Sequence, residues 1–251
     1  MQKRITFDAL QQKKGKLTNK VQCLLFNSAF KTLLMNILLV AATTFEIAPI
    51  AHSKLATQMA GLDICITGVG MMAATYKLAE CIIKHRPDFV LQAGVAGAFP
   101  NSGFHPGDLV FVTSELLGDL GVEDDNRFLD VFDIGLEEAD GFPFQQKYIL
   151  NPLEGLAGKI DLPTATGITV QMGSGSDLTA WMRSNKYQAD VESMEGAALH
   201  YVCRQQNMPF AQIRSISNLV QKRDKSTWQM EKALKRLNDW LSTFLQKAIT
   251  S

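Results

Sequence analysis

"VESMEGAALHYVCRQQNMPFAQIRSISN", residues 191–218, holds the reading on which the fold turns. Its first half is apolar at helical spacing after an acid, which predicts a helix over Met194–Gln206. Asn207-Met208-Pro209 breaks that pattern, and Pro209–Ser217 then reads as a buried strand around Ile213 and Ile216. Arg214 and Asn218 interrupt the strand on its even-numbered face. Residues i and i+4 of a strand share a face and lie roughly 13 Å apart, about the span of a small organic ligand. A guanidinium at one end of a core strand and an amide at the other therefore raise the question of a binding site.

Working outward, the same alternation of strand and helix runs back to Met35. Asn36–Ala42 reads as a strand and Glu46–Met59 as a helical stretch interrupted by Pro49. Leu62–Thr67 is a strand closed by "GVG" (68–70). Met71–His85 is a helix expected to bury Met72, Leu78, Ala79, Ile82 and Ile83. Asp88–Ala93 is a strand expected to end in the turn "GVAG" (94–97), and Leu109–Thr113 and Ile168–Met172 are further strands. The last helix carries Leu234, Leu237, Leu241, Phe244, Leu245 and Ala248 at helical spacing, with Ser226 and Gln229 in a capping-box pattern. Alternating elements of this kind predict an α/β domain with a central sheet covered on both faces. Gly121–Asp161 lacks a steady period, and reads equally as a functional flap or a surface excursion.

The chain has 251 residues, 46% of them apolar and 20% charged, enough for one large domain or two small ones. With a formal net charge of zero, no global field draws nucleic acid or an anionic membrane. The four cysteines (Cys23, Cys65, Cys81, Cys203) form no CxxC pair; Cys65 and Cys81 read as reduced core thiols, and a cytoplasmic protein is expected. The basic stretch before "TLLMNILLVAA" mimics a secretory signal. The same apolar run reads as the first strand of a parallel sheet, which leaves residues 1–34 as an extension of unknown role and 35–251 as the domain.

Short glycine turns at strand ends let a backbone approach a ligand, and ligands of open α/β sheets bind at the carboxyl ends of strands. "GVG" and "GVAG" fit that role, although such turns also use glycine for geometry alone. Neither a GxGxxG nor a P-loop is present, so dinucleotide and nucleoside-triphosphate chemistry is not indicated. Glu195 opens a helix, where an acid commonly just complements the helix dipole. Glu46 lies beyond the first strand, where an acid is unremarkable. His85 and His200 fall on helices and read as packing or surface residues, and Glu123-Asp124-Asp125 as a solvated loop.

Taken together, Glu46, Gly94–Gly97, Met194-Glu195 and Arg214 with Asn218 all fall at strand ends of one sheet. In "MNILLVAATTFE", "TGVGMMAATYKLAECIIKHRPDFVLQAGVAGAF", "GDLVFVTSE" and "VESMEGAALHYVCRQQNMPFAQIRSISN" the sequence resembles the purine nucleoside phosphorylase/nucleosidase superfamily over residues 35–251. The order and spacing are similar to those of methylthioadenosine/S-adenosylhomocysteine nucleosidases, and more closely to those of futalosine hydrolases. The resemblance implies a three-layer nucleoside phosphorylase-like fold, a central mixed β-sheet flanked by helices, and a homodimer or higher homo-oligomer. It implies hydrolysis of an N-glycosidic bond with no cofactor and no metal, the partner being a small purine riboside. Futalosine would be the substrate and hypoxanthine the product, on a route to menaquinone.

Carried over by motif, Glu46 matches the acid that orients and deprotonates water, and Arg214 the arginine near that water. Glu195 matches the acid that holds the ribose 2′- and 3′-hydroxyls, with Met194 against the sugar. Gly94, Val95 and Gly97 fall on the substrate-binding segment. Asn218 occupies the leaving-group position where the methylthioadenosine enzymes have aspartate, Val95 stands where they carry serine, and "QMGSGSD" (171–177) lacks their adenine-stacking aromatic. An adenosine-type nucleosidase, a phosphate-using phosphorylase and a non-catalytic nucleoside-binding or storage protein are the other readings of this pattern. The presence of both Glu46 and Glu195 speaks against the last.

Overall fold

A computed structural model describes residues 35–250 except 55, 57–59 and 126, together with the backbone alone at 156, 249 and 250. The extension expected over 1–34, and Cys23 within it, lie outside the described residues. Among the described residues, eleven strands and four long helices follow in chain order. Strands β1 (Ile37–Ala41), β2 (Leu62–Ile66), β3 (Phe89–Ala98), β4 (Leu109–Leu117), β7 (Phe144–Gln145), β8 (Tyr148–Leu150), β9 (Thr164–Thr169), β10 (Val191–Ser193) and β11 (Phe210–Leu219) form one mixed sheet. Strands β5 (Gly121–Asp124) and β6 (Arg127–Asp130) form a separate hairpin. The helices are α1 (Met71–His85), α2 (Asp177–Tyr187), α3 (Gly196–Gln205) and α4 (Met230–Thr250).

Strand β1 shows why the architecture has three layers. All five residues are buried, and alternate side chains point to opposite faces of a strand. Ile37 and Leu39 pack with Leu237, Leu241 and Leu245 of α4. Leu38 and Val40 pack on the other face with Leu78 and Ile82 of α1 and Leu199 of α3. A strand covered on both faces reads as an unbroken apolar run, as "ILLVA" does.

Strands β1, β2, β3 and β11 run parallel, whereas β4 is antiparallel to β11, and β10 antiparallel to β3. Because β10 also pairs β9, and β9 pairs β4, the strands β3, β10, β9, β4 and β11 close into a ring. Strand β11 therefore lies between β3 and β4 at the centre. Its pairing with β3 shifts by one residue between Ile216 and Asn218, a bulge that leaves Ser217 unmatched.

Several sequence expectations change. "GVAG" is not a turn: β3 runs on through it to Ala98, because β10 and β11 flank this half of the strand. The strand expected at Ile168–Met172 lies earlier, at Thr164–Thr169. The stretch from Glu46 is a 3-10 turn over Thr44–Ile47 followed by one helical turn, Ala48–Ala51. In α1, Met72 and Ile83 are exposed, and Ala74, Leu78, Cys81 and Ile82 form the buried stripe. Ser226 does not cap α4: its amide and hydroxyl donate to Asp224, and the Gln229 amide donates to Ser217 O.

Cys65 and Cys81, expected as reduced thiols, are joined in a disulfide between β2 and α1. The packing of α1 on β2 brings their α-carbons to 6.5 Å, within the reach of a disulfide, and no spacing rule reveals that. Cys203 is free and buried, and burial pushes its thiol up, out of the reactive range. Among the described residues, no helix is long and apolar enough to cross a membrane.

Candidate active site

Glu46 is placed by a capping box. Its Oε2 accepts from the Thr43 amide at 3.0 Å and the Thr43 hydroxyl at 3.3 Å, closing the 3-10 turn that follows β1. Its Oε1 accepts from the Val95 amide of β3 at 3.2 Å. The side chain is 8% exposed, and burial raises its pKa, an effect that Arg214 opposes. A carboxylate poised in this way suits proton abstraction better than a fully solvated acid does.

Arg214, on β11, is almost fully buried. Its Nη2 lies 3.6 Å from Glu195 Oε2 and donates to Gln92 Oε1 at 3.2 Å, while Nη1 donates to Val95 O at 3.3 Å. One guanidinium thus serves both acids, since it also acts on Glu46. The room for it comes from Gly94, where a β-carbon would stand 2.5 Å from Arg214 Nη1 and 2.8 Å from Glu46 Oε1. Gly97 makes similar room for Asn218 Nδ2 at 3.2 Å and for Val220. The glycines of "GVAG" therefore admit side chains from neighbouring elements rather than turning the chain.

Glu195 stands at the N-cap position of α3. Its Oε1 accepts from the Gly70 amide at 3.0 Å, so "GVG" does bring backbone to the site. Asn218 lies just past the β11 bulge. Its Oδ1 accepts from the Ser217 hydroxyl at 2.7 Å, and its Nδ2 donates to Leu219 O at 2.9 Å. That leaves one amide hydrogen directed elsewhere.

An open pocket of about 340 Å³ gathers these groups, a size ordinary for a small-molecule site. Glu46, Val95, Gly97, Met194, Glu195 and Asn218 all line it. Gly94 and Arg214 lie behind that wall, where Arg214 acts on the Glu46 carboxylate through its charge and both side chains approach Gly94. All eight residues singled out from the sequence thus meet in one region. Among the described residues, no group of three His, Cys, Asp or Glu is arranged to hold a metal ion.

Sequence reading missed part of the surroundings. Phe45 and Trp228 add aromatic surface to the pocket, and Arg223 stacks over Trp228 at 4.9 Å. Glu192 accepts from the Ser174 amide and hydroxyl, each at 2.7 Å, and from Arg183 at 3.0 Å, which pins the loop at Gly173-Ser174 against the pocket. Beneath the site lies a buried carboxylate, Glu115, whose pKa burial pushes up to about 7. The signals were a charge inside the apolar run "GDLVFVTSE" and an amide in "FAQIRS".

With fold and geometry in place, comparison with known proteins gives the class. The chain belongs to the Phosphorylase superfamily, whose pattern it matches over residues 39–246. It is an enzyme of that superfamily, similar in sequence to a named hydrolase and a named nucleosidase. It is 31% identical to the futalosine hydrolase of Thermus thermophilus over 175 residues, 68% of this chain and 75% of that one. It is 27% identical to the 5′-methylthioadenosine/S-adenosylhomocysteine nucleosidase of Aeromonas salmonicida over 178 residues, 66% of this chain and 72% of the other. In structure it is similar to futalosine hydrolase of Helicobacter pylori, with a TM-score of 0.69 at 18% identity, covering 86% of this chain and 99% of that one.

Proposed function

We propose that this enzyme hydrolyses the N-glycosidic bond of futalosine and releases hypoxanthine. The observation that carries the reading is the pairing of Glu46 and Glu195 on one pocket, with Arg214 between and behind them. Cleavage of an N-glycosidic bond builds positive charge on the sugar and negative charge on the departing base. Glu46 takes a proton from the attacking water, an effect typically worth about 10²–10⁴-fold, and its charge favours the oxocarbenium-like sugar. The two oxygens of Glu195 accept the ribose 2′- and 3′-hydroxyls, and Met194 packs on the sugar. The amide of Asn218 donates to the base as it leaves. Residues 35–251 form the hydrolase domain in this reading.

Hydrolysis is favoured over phosphorolysis because a phosphate dianion beside the sugar needs cationic side chains. Among the described lining residues the one cation is Arg223, which is exposed and stacked on Trp228, and Arg214 already serves two carboxylates. The second reading is a methylthioadenosine/S-adenosylhomocysteine-type nucleosidase, supported by the similarity to that enzyme of Aeromonas salmonicida. Incubation with futalosine, inosine and methylthioadenosine, with and without phosphate, separates these readings by the free base released. Phosphate-independent release of hypoxanthine from futalosine is expected. Strict dependence on phosphate, or turnover of methylthioadenosine alone, overturns the assignment.

A further inference from the structure

Glu195 occupies the position from which a side chain ordinarily caps its own helix. A Ser, Thr, Asp or Asn at the N-cap accepts from the backbone amides two or three residues on, and the longer Glu carboxylate can fold back to the same donors. Here the Glu195 carboxylate makes no such bond and turns instead to Gly70 and Arg214. The amides of α3 are satisfied by other groups. Gly196 N donates to Ser193 Oγ at 3.4 Å, and Ala197 N donates to Thr169 Oγ1 at 2.7 Å. The Thr169 hydroxyl in turn donates to Glu115 Oε2 at 2.9 Å, and Gln212 Nε2 donates to Glu115 Oε1 at 2.8 Å. Glu115, Thr169 and Gln212 are fully buried, so bulk water does not compete for these bonds in the folded protein. Gly196 lets the helix start sit directly on it: a β-carbon there would overlap Glu115 and Gln212.

We propose that Glu115, acting through Thr169, caps α3 in place of Glu195, and so keeps the Glu195 carboxylate free for the ribose diol. Glu115 is a positioning residue and does not touch substrate. Its two oxygens fix the Thr169 hydroxyl and the Gln212 amide. The oriented Thr169 oxygen takes the Ala197 amide, the very donor that Glu195 would otherwise claim. With that relay cut, the orphaned amide draws the Glu195 carboxylate back onto the helix, away from the sugar. The expected signature is a loss of discrimination between ribosides and 2′-deoxyribosides rather than a uniform loss of rate. The part concerning the sugar rests on the role given to Glu195 above; the capping part does not.

The test uses the full chain and three variants: Glu115→Ala, Thr169→Val and Glu115→Gln. Thr169→Val is isosteric and removes only the hydroxyl relay, so it serves even where Glu115→Ala fails to fold. In Glu115→Gln the new amide oxygen still accepts from Thr169, and Gln212 turns its own oxygen, which has no partner now, to the new NH₂. Two readouts are taken: hydrogen exchange of the Ala197 amide without substrate, and the ratio of kcat/KM for a purine riboside and its 2′-deoxy analogue. Thr169→Val is expected to speed exchange at Ala197 at least about tenfold and to lower the riboside preference at least about fivefold. Glu115→Ala should do the same, and Glu115→Gln should restore most of both. Unchanged exchange in Thr169→Val overturns the capping role. Accelerated exchange with an unchanged preference overturns the link to Glu195, and Glu115→Gln behaving as Glu115→Ala overturns the relay in favour of a requirement for charge. A wild type that releases base from no nucleoside refutes the functional reading of the pocket, while the exchange measurement still decides the cap.

Discussion

Glu46 and Arg214 meet across the α-carbon of Gly94, with a carboxylate oxygen and a guanidinium nitrogen converging on the space a β-carbon would fill. Gly94→Ala is therefore expected to push the two apart and to lower kcat at least about tenfold. Overpacking of this kind costs about 1–3 kcal/mol of stability. Gly97→Ala, which crowds Asn218 and Val220 instead, should act mainly on KM and on base preference. Steady-state kinetics of both variants check this; equal effects on kcat would refute the division.

Glu46→Gln should lower turnover by at least about 10², because it keeps the shape and removes the base. The substitution also converts one acceptor into a donor facing either the Thr43 or the Val95 amide. A loss of about 1–3 kcal/mol is expected for that mismatch, more than for an open surface acid. Denaturant unfolding beside single-turnover rates tests both figures, and near-normal turnover would reduce Glu46 to a turn-forming residue.

Asn218 should set the base preference. A 6-oxopurine offers two adjacent acceptors, N7 and O6, to which an amide NH₂ donates, whereas adenine offers an acceptor beside a donor. One of those hydrogens is donated to Leu219 O, so a bound base competes with the main chain for it. Asn218→Asp is expected to lose activity on 6-oxo substrates and to gain relative activity on 6-amino ones. The change in the kcat/KM ratio should be roughly 5- to 150-fold, the equivalent of about 1–3 kcal/mol for one unpaired buried group. An unchanged ratio removes the main support for futalosine over methylthioadenosine.

Two buried groups should pull the pH dependence of stability in opposite directions. Burial raises Glu115 from 4.5 to about 7. Between those values the folded state holds the proton that the unfolded state has lost, so stability falls as pH rises. Burial lowers His200 from 6.5 to about 4. In that window the unfolded state binds the extra proton, so stability falls as pH falls. The two effects oppose each other between pH 4.5 and 6.5. Glu115→Gln removes the first, and the stability of the variant relative to wild type is expected to climb as pH is raised from 4.5 towards 7. Urea midpoints across that range measure it, and parallel curves would show that Glu115 titrates normally.

The strand and helix order was legible because strands covered on both faces must be continuously apolar, as at "NILLVAA", and because α4 carries an unbroken apolar stripe. What escaped reading was local and depended on partners. Helix α2 went unseen because few of its side chains are buried and one of those is Arg183, although Ser176 does cap it through Thr179 N. "GVAG" looked like a turn because glycine ends strands more often than it thins them. The flanking strands that make it a strand come from residues 191–193 and 210–219. The eight site residues stand out at the ends of expected strands and take their expected roles from resemblance of motif, and their meeting in one region follows from the topology. Glu115 escapes a reading of the sequence because an acid inside an apolar run signals a buried charge but not its partners. Its partners Thr169 and Gln212 are 54 and 97 positions away.

The one-residue shift at Ser217 divides β11 into two segments with separate registers. Upstream, Gln212 is bonded to the buried Glu115 and Arg214 pairs with Glu195; downstream, Asn218 lines the pocket, as does Val220 beyond it, in a register of its own. A strand without the bulge would transmit any adjustment at residue 218 along its length to residue 214. With it, an adjustment at residue 218 is taken up at Ser217 before it reaches residue 214. Exchanging the short tract after Ile216 is therefore expected to change what Asn218 presents to the pocket while the register that sets Arg214 beside Gly94 is kept.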